Sequence, residues 1–228
     1  MLSPVNEPSK NPTYETLGQG LLGISKNEHP SPEQHPSDLK QQELQIRKQA
    51  AVMFTDIVGY TDMIEDDEEK TLQLLIANRH IQKQFIEQQG GNWIKEMGDG
   101  ILSSFNTASS AVNCALDIQK EVQEVAGFSL RIGIHLSQVV FMGDDVFGLG
   151  VNIASRIQEI ASPGQIWVSG SVAKTVKFEK DICLRFIRRH LLKNVKRPVR
   201  IYEASGALEE MEKIIVPPNV TLSRLTKG

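Results

Sequence analysis

Two aspartates, Asp56 and Asp99, occupy positions where a pair of carboxylates could do chemistry. Asp56 follows the apolar run at residues 51–54, which is typical of a short buried strand. An unpaired carboxylate beside a buried strand is costly to desolvate, so Asp56 needs a compensating partner. Asp99 lies between Gly98 and Gly100, a pattern typical of a tight hairpin in which one residue takes a positive φ.

This pair of aspartates has two interpretations. If the carboxylates lie on neighbouring strand ends, they form a site for a hard divalent cation such as Mg²⁺ or Mn²⁺. Alternatively, Asp56 caps the following helix and Asp99 only sits in a Gly-Asp-Gly turn, which is a common arrangement. The choice depends on whether the chain brings the two segments side by side.

The order of elements along the chain favours the metal site. Apolar spacing predicts strand, helix, strand, strand, helix, strand, which is the split βαββαβ plan of a ferredoxin-like α+β fold. In that topology the first strand lies beside the hairpin that carries Asp99. A strand and helix extension follows towards the C-terminus. The predicted core elements are the strand at 51–54, the helix at 68–89, the hairpin arms at 92–97 and 101–105, the helix at 107–125 and the strand from 128 to 135.

A later helix, predicted over residues 151–160, carries two polar side chains four residues apart. Asn152 and Arg156 therefore lie on one helical face and can point at a common target. The alternative is that Arg156 forms a surface ion pair with Glu159 or Asp145. A basic stretch from 188 to 200 is either a solvated edge or a phosphate contact.

Composition limits the class of protein. A chain of 228 residues with 40% hydrophobic and 23% charged residues is typical of a soluble globular protein. A net charge of −3 without a basic face argues against nucleic acid as the main partner. Without a long apolar run or a secretion signal, we expect no membrane span and a cytoplasmic location. Cys114 and Cys183 are predicted to be buried free thiols.

The chain divides into four predicted parts. Residues 1–38 are polar and rich in proline, and we expect them to be disordered or loosely attached. Residues 39–49 are predicted to form a polar linker helix. Residues 50–205 form the main domain, and residues 206–228 are a polar C-terminal tail.

Five segments, in this order, closely resemble the catalytic domain of class III nucleotidyl cyclases. The resemblance covers about residues 48–204. No single segment is decisive, but five in the same order and spacing are specific. The segments are 54–61 (FTDIVGYT), 95–100 (KEMGDG), 131–135 (RIGIH), 145–156 (DVFGLGVNIASR) and 192–199 (LKNVKRPV).

The resemblance implies a metal site and a purine site. Asp56 and Asp99 would be the paired metal ligands, with the Ile57 carbonyl as an extra ligand for two Mg²⁺ or Mn²⁺ ions. Lys95 and Asp145 match the two positions that read the purine edge. Lys95 can donate to N1 of adenine and Asp145 can accept from its N6 amine, whereas a guanine-selecting site would typically carry Glu in place of Lys.

The same resemblance implies an activity and an assembly. Asn152 would orient the ribose, and Arg156 would stabilise charge on the phosphates in the transition state. Lys193 is the first candidate for a triphosphate contact, with Lys196 as its competitor. The implied function is an adenylate cyclase that converts ATP to cyclic AMP and pyrophosphate at composite sites of a homodimer.

Two other functions are compatible with this fold. A guanylate cyclase, or a diguanylate cyclase, shares the βαββαβ plan, but Lys95 and Asp145 argue against guanine and no Gly-Gly-acidic-Glu-Phe signature is present. A non-catalytic nucleotide-binding dimerisation module is disfavoured because every expected site residue is present. The sequence does not identify a regulatory signal, and control by an unknown partner stays open.

Overall fold

The computed structural model describes residues 45–125 and 127–207. The strands and helices of this part of the chain are numbered separately in chain order. They are β1 (Gln45–Ile57), α1 (Tyr60–Asp66), α2 (Glu68–Gln88), β2 (Asn92–Met97), β3 (Gly100–Phe105), α3 (Ala108–Val125), β4 (Leu130–Met142), β5 (Asp145–Phe147), α4 (Leu149–Glu159), β6 (Ile166–Ser169), α5 (Gly170–Val176), β7 (Ile182–His190) and β8 (Val199–Gly206).

The strands form one mixed sheet in the order β2-β3-β1-β4-β6-β8-β7, and β5 pairs with β4 at one side of this path. Strand β1 lies between β3 and β4 and is antiparallel to both. Strand β4 pairs in parallel with β6, as a crossover connection requires. Elements β1 to β4 with α2 and α3 therefore form the split βαββαβ core, which confirms the predicted α+β fold, and β6 to β8 with α5 form the extension.

Helices cover both faces of the sheet. Helices α2, α3 and α5 pack on one face, where Ile86, Ile118 and Val172 contact the strand residues Met53 and Ile132 in one buried cluster. Helix α4 packs on the opposite face. Because β1 is covered on both sides, its residues 50–54 read as a continuous apolar run rather than as an alternating pattern.

The predicted linker helix at 39–49 is wrong for residues 45–49, which are the first five residues of β1. They pair with residues 138–142 of β4. This extension is exposed, so its polar sequence resembles the surface of a helix, and only the backbone pairing with β4 makes it a strand. Residues 39–44, the predicted disordered segment 1–38 and residues 208–228 of the tail lie outside the described part of the chain.

The two cysteines differ in burial. Cys114 on α3 is a fully buried free thiol, and burial raises its pKa to about 12. Cys183 is also a free thiol but is only half-buried, so the prediction of burial is wrong for this residue. It lies on β7, an edge strand with a neighbour on one side only.

A half-buried histidine on β4 makes stability depend on pH. Burial lowers the pKa of His135 from 6.5 to about 4 in the folded protein. Between about pH 6.5 and pH 4 the unfolded chain therefore binds a proton at His135 and the folded chain does not. The free energy of unfolding that is present above about pH 6.5 is lost as the pH falls towards about 4. We expect His135 to account for a loss of up to about 3 kcal/mol.

Urea unfolding at several pH values between about 7.5 and 4.5 measures this loss. The variant His135→Gln should have a shallower decline than the wild-type protein, because its side chain does not titrate. The matched control, His80→Gln, changes an exposed histidine on α2 and should follow the wild type. Parallel curves for the wild type and His135→Gln would contradict the assignment.

Candidate active site

The fold brings Asp56 and Asp99 together. Asp56 is near the C-terminal end of β1, and Asp99 is in the turn between β2 and β3, where Gly98 takes the left-handed conformation with φ +67°. Pairing of β1 with β3 places the turn beside the end of β1. The backbone N–H of Ile57 donates a hydrogen bond of 3.0 Å to Oδ2 of Asp99, which fixes this carboxylate.

The two carboxylates influence each other electrostatically. The pKa of Asp99 is raised, first by burial and second by the negative charge of Asp56. Asp56 in turn forms a 2.5 Å ion pair with the guanidinium of Arg131 on β4. The Nε atom of Arg131 is buried and has no hydrogen-bond partner among the described residues. A partly buried pair of like charges of this kind is what a divalent cation relieves.

The donor set fits Mg²⁺ or Mn²⁺ bound together with a phosphorylated substrate. Within residues 45–125 and 127–207, no cluster of three or more His, Cys, Asp or Glu side chains could hold a metal ion. The oxygen ligands brought together here are the carboxylates of Asp56 and Asp99, and the Ile57 carbonyl stays a prediction from the family resemblance. Mg²⁺ is commonly held by one or two carboxylates, with substrate phosphates and water completing its shell.

Arg131 is a site residue that sequence reasoning did not single out. It is a charged residue in the alternating apolar strand at 130–134, which was the available signal. The register between β1 and β4 pairs Arg131 directly with Asp56, and this long-range pairing gives the charge its partner.

Lys95 and Asp145 form a second polar pair. Lys95 on β2 and Asp145 at the start of β5 are joined by an ion pair of 2.6 Å. This contact lowers the pKa of Asp145, mainly through the hydrogen bond from Lys95. The N–H of Val146 also donates a hydrogen bond of 2.7 Å to Oδ1 of Asp145. One ammonium donor and one carboxylate acceptor are thus held side by side.

A β-bulge aims Lys95 at Asp145. The ladder between β2 and β3 skips one residue after Trp93, so that Lys95 pairs with Leu102. Paired residues point to the same side of a sheet, and Leu102 belongs to the buried cluster on the face that α4 covers. The next residue, Glu96, points to the other face and forms a 2.5 Å ion pair with Arg79 of α2.

Helix α4 presents Asn152 and Arg156, as their spacing predicted. Asn152 is exposed, and Arg156 pairs with Glu159 one turn later, which is the surface contact expected by the alternative interpretation. The Arg156 side chain is 34% exposed. An ion pair this accessible contributes at most about 1 kcal/mol, so an anionic substrate can displace Glu159.

The position of α4 depends on Gly133 of β4. A Cβ atom at this position would lie 2.3 Å from the backbone N of Gln158 and 2.6 Å from the carbonyl O of Ala154. Both are backbone atoms of α4, so the helix lies directly on the strand. Glycine allows this close approach, which sets the height of Asn152 and Arg156 above the sheet.

Lys193 and Lys196 are the last two candidate site residues. Both are exposed and belong to the loop at 191–198 between β7 and β8. Within the described part of the chain, neither forms an ion pair, so both ammonium groups are available to a phosphate. The structure does not distinguish between them.

A sequence profile described as the adenylate and guanylate cyclase catalytic domain matches residues 43–202. The chain belongs to this family. The match covers every residue of the carboxylate pair, the Lys95–Asp145 pair and helix α4.

Individual relatives agree with this assignment. A Rhizobium meliloti protein, whose name includes the words "adenylate cyclase 3", is 33% identical over 182 residues, which are 76% of this chain and 30% of the relative. A Streptomyces coelicolor adenylate cyclase is 30% identical over 138 residues, or 60% of this chain and 36% of the relative. The chain therefore spans about a third of the length of these relatives.

A solved structure has the same fold. The adenylate/guanylate cyclase/hydrolase from Silicibacter pomeroyi superposes with a TM-score of 0.66 at 31% identity, covering 71% of this chain and 98% of that chain. No helix among the described residues combines the length and the apolar character needed to cross a membrane.

Proposed function

We propose that this chain is the catalytic domain of an adenylate cyclase that converts ATP to 3′,5′-cyclic AMP and pyrophosphate. The observation that carries the proposal is the Lys95–Asp145 pair, held at 2.6 Å in a cyclase-family domain. A donor beside an acceptor complements the N1 and N6 edge of adenine. The adenylate cyclase names of the relatives support the same base.

The carboxylate pair would hold the metal ions. Asp56, Asp99 and the Ile57 carbonyl supply oxygen ligands for Mg²⁺ or Mn²⁺. Two such ions, when bound, would lower the pKa of the ribose 3′-hydroxyl and neutralise triphosphate charge. Arg131 neutralises Asp56 when no cation is bound, so metal binding must compete with the Arg131–Asp56 ion pair.

Lys95 and Asp145 would bind and orient the adenine. Their side chains are 42% and 33% exposed, so the ion pair between them is accessible and weak. Adenine can insert its N1 and N6 groups between them, with Lys95 donating and Asp145 accepting. Before adenine enters, the hydrogen bond from Lys95 lowers the pKa of Asp145, so this carboxylate is charged when the base arrives.

The remaining residues act on the sugar and phosphates. Asn152 would orient the ribose so that the 3′-oxygen is in line with the α-phosphorus, and attack breaks the bond to the bridging oxygen of pyrophosphate. Arg156, released from Glu159, would stabilise negative charge on the phosphates in the transition state. Lys193, or Lys196 in its place, would contact the triphosphate.

We further infer that two chains build each site. The carboxylate pair and the Lys95–Asp145 pair are separate groups, because Lys95 lies on β2 and Asp99 lies in the turn that follows this strand. Large apolar side chains are exposed around the second group, with Phe147 47% and Leu149 59% exposed. Such a patch favours self-association, and a two-fold dimer would form two equivalent composite sites.

The test is an assay of the purified protein with ATP and Mn²⁺. We expect cyclic AMP and pyrophosphate in equal amounts, with no product when EDTA is added. A parallel reaction with GTP addresses the guanylate cyclase alternative, which predicts cyclic GMP instead. Protein that binds ATP with Mn²⁺ but forms no cyclic nucleotide would point to the non-catalytic module.

The glycine beneath α4 gives a further prediction. We expect Gly133→Ala to push α4 from the sheet and to lower stability by about 1–3 kcal/mol, because the new methyl group meets backbone rather than a movable side chain. Cyclase activity should fall at temperatures where the variant stays folded, since Asn152 and Arg156 move with α4. Thermal unfolding and turnover measure the two effects.

The matched control for this variant is Gly170→Ala at the start of α5. Its new methyl group would lie 3.2 Å from the Cβ atom of the Arg200 side chain. This milder contact should cost less stability and leave turnover unchanged. A wild-type melting temperature for Gly133→Ala would contradict the role of the glycine.

A further inference from the structure

A second cavity lies away from the candidate active site. It has a volume of about 690 Å³, is partly open to solvent and lies between α5 and the β7–β8 hairpin. Tyr202 of β8 lines it, whereas the adjacent Ile201 packs against Ile153 and Ile157 of α4. Consecutive strand residues point to opposite faces, so this cavity and α4 lie on opposite sides of the sheet.

Three cationic side chains line this cavity, and the ammonium of Lys177 lies 4.4 Å from the ring centroid of the neighbouring Phe178. Lys174 and Lys177 are three residues apart around the end of α5 and therefore neighbours on one side of the helix. Arg200 comes from β8, which packs closely against the start of α5: a Cβ atom at Gly170 would lie 3.2 Å from Cβ of Arg200. Two elements in direct contact thus bring three positive charges to one cavity.

Among the residues that the structure describes, no carboxylate lines the cavity to balance these charges. The nearby Glu179 accepts a hydrogen bond from Ser109 of α3. Glu203 forms an ion pair with Arg185. Because Glu203 follows Tyr202 on β8, its side chain points to the side of the sheet opposite the cavity. Among the described residues, Lys174, Lys177 and Arg200 form no ion pairs, so the cavity keeps an uncompensated positive charge.

The rest of the lining is apolar or neutral. Leu184 and Tyr202 provide apolar surface, and Ser171 provides a hydroxyl group. His135 also lines the cavity, and its lowered pKa keeps it neutral at neutral pH. A cavity of this size, with mostly apolar walls and a few convergent charges, has the character of a small-molecule site.

We propose that this cavity binds a phosphorylated small anion with at least two negative charges, at a site separate from the proposed catalytic centre. Lysine and arginine donors form charge-assisted hydrogen bonds to phosphate oxygens, and three cations suit a dianion or a bisphosphate better than a single carboxylate. The apolar wall formed by Leu184 and Tyr202 would contact the carbon skeleton of the ligand. The phosphate could belong to a free metabolite or to a lipid headgroup.

Calorimetric titration with fructose 1,6-bisphosphate tests the free source. EDTA in the buffer removes divalent cations, so that the proposed metal-dependent site does not contribute. The triple variant Lys174→Gln, Lys177→Gln, Arg200→Gln should bind this probe at least about tenfold more weakly than the wild type. A control triple variant, Lys70→Gln, Lys83→Gln, Lys120→Gln, removes the same charge from exposed positions on α2 and α3 and should bind like the wild type.

Co-sedimentation with vesicles of phosphatidic acid and phosphatidylcholine tests the lipid source, because the phosphomonoester headgroup of phosphatidic acid can carry two negative charges. Binding of either probe that is lost in the first triple variant and kept in the control variant supports the proposal and identifies the source. If the wild type binds neither probe, or if both triple variants bind alike, the proposal is wrong. If the first triple variant has a lowered melting temperature, the single variants Lys174→Gln and Lys177→Gln are tested instead. Each should bind the probe about threefold more weakly than the wild type. None of these readouts depends on cyclase activity.

Discussion

A mixture of Asp99→Ala and Arg156→Ala chains, each nearly inactive alone, is expected to recover up to about a quarter of wild-type activity. In the proposed dimer, Asp99 of one chain and Arg156 of the other serve the same ATP. A mixed dimer then has one site with both defects and one site with neither. With random exchange about half of the dimers are mixed, and half of their sites are intact.

Each single variant should lose activity for a different physical reason. Arg156→Ala removes a charge that acts on the transition state, so turnover should fall by about a thousandfold with a smaller change in KM. Asp99→Ala removes a metal ligand and leaves Asp56 paired with Arg131, so excess Mn²⁺ should not restore full activity. Steady-state kinetics separate these two patterns.

The decisive control mixes Asp56→Ala with Asp99→Ala. Both residues belong to the carboxylate pair of a single chain, where the N–H of Ile57, next to Asp56, donates a hydrogen bond to Asp99. Every site of every dimer in this mixture lacks one metal ligand, so no recovery is expected. If the Asp99→Ala and Arg156→Ala mixture also stays inactive although differently tagged chains exchange, the shared-site proposal fails.

Base selection should depend on Lys95 and Asp145 together. The unmodified protein is expected to use ATP at least about a hundredfold better than GTP, because guanine presents an N1–H donor to the Lys95 donor and an O6 acceptor to the Asp145 carboxylate. The double variant Lys95→Glu, Asp145→Asn reverses the donor and the acceptor. It should lose most of the ATP activity and gain relative activity with GTP.

Two measurements make this test specific. The Mn²⁺ concentration for half-maximal activity should be unchanged in the double variant, because Asp56 and Asp99 are untouched. The single variant Lys48→Gln makes the same net charge change as the double variant at an exposed position of β1, where Lys48 bonds to Asn106, and should keep the preference for ATP. Equal use of ATP and GTP by the unmodified protein would contradict the proposed role of the pair.

Local features that depend on near neighbours could be predicted well. The turn at Asp99 was predictable because Gly98 can adopt a positive φ at little cost, and this is the conformation it takes. The spacing of Asn152 and Arg156 was predictable because four residues are about one helical turn. The order of strands and helices followed from apolar periodicity, and it implied that β1 and the β2–β3 hairpin would lie side by side.

Features that depend on distant segments could not be predicted from the sequence. Residues 45–49 are strand because β4 supplies their backbone partners, a contact between positions almost a hundred residues apart. The partner of Asp56 is Arg131 for the same reason. The bulge that aims Lys95 at Asp145 is a property of the β2–β3 ladder and has no local signal in the sequence.

The sequence by itself thus determined the α+β core, the turn geometry and the identity of the polar residues, because these depend on backbone preferences and on burial patterns within short windows. Only the tertiary structure decided which charges meet: Asp56 with Arg131, Lys95 with Asp145, and Lys174 and Lys177 with Arg200 across the α5–β8 contact. The physical reason is that the sequence around a charged residue does not indicate which distant residue will pair with it. Strand register and helix packing bring such groups together, and both are set by the whole chain.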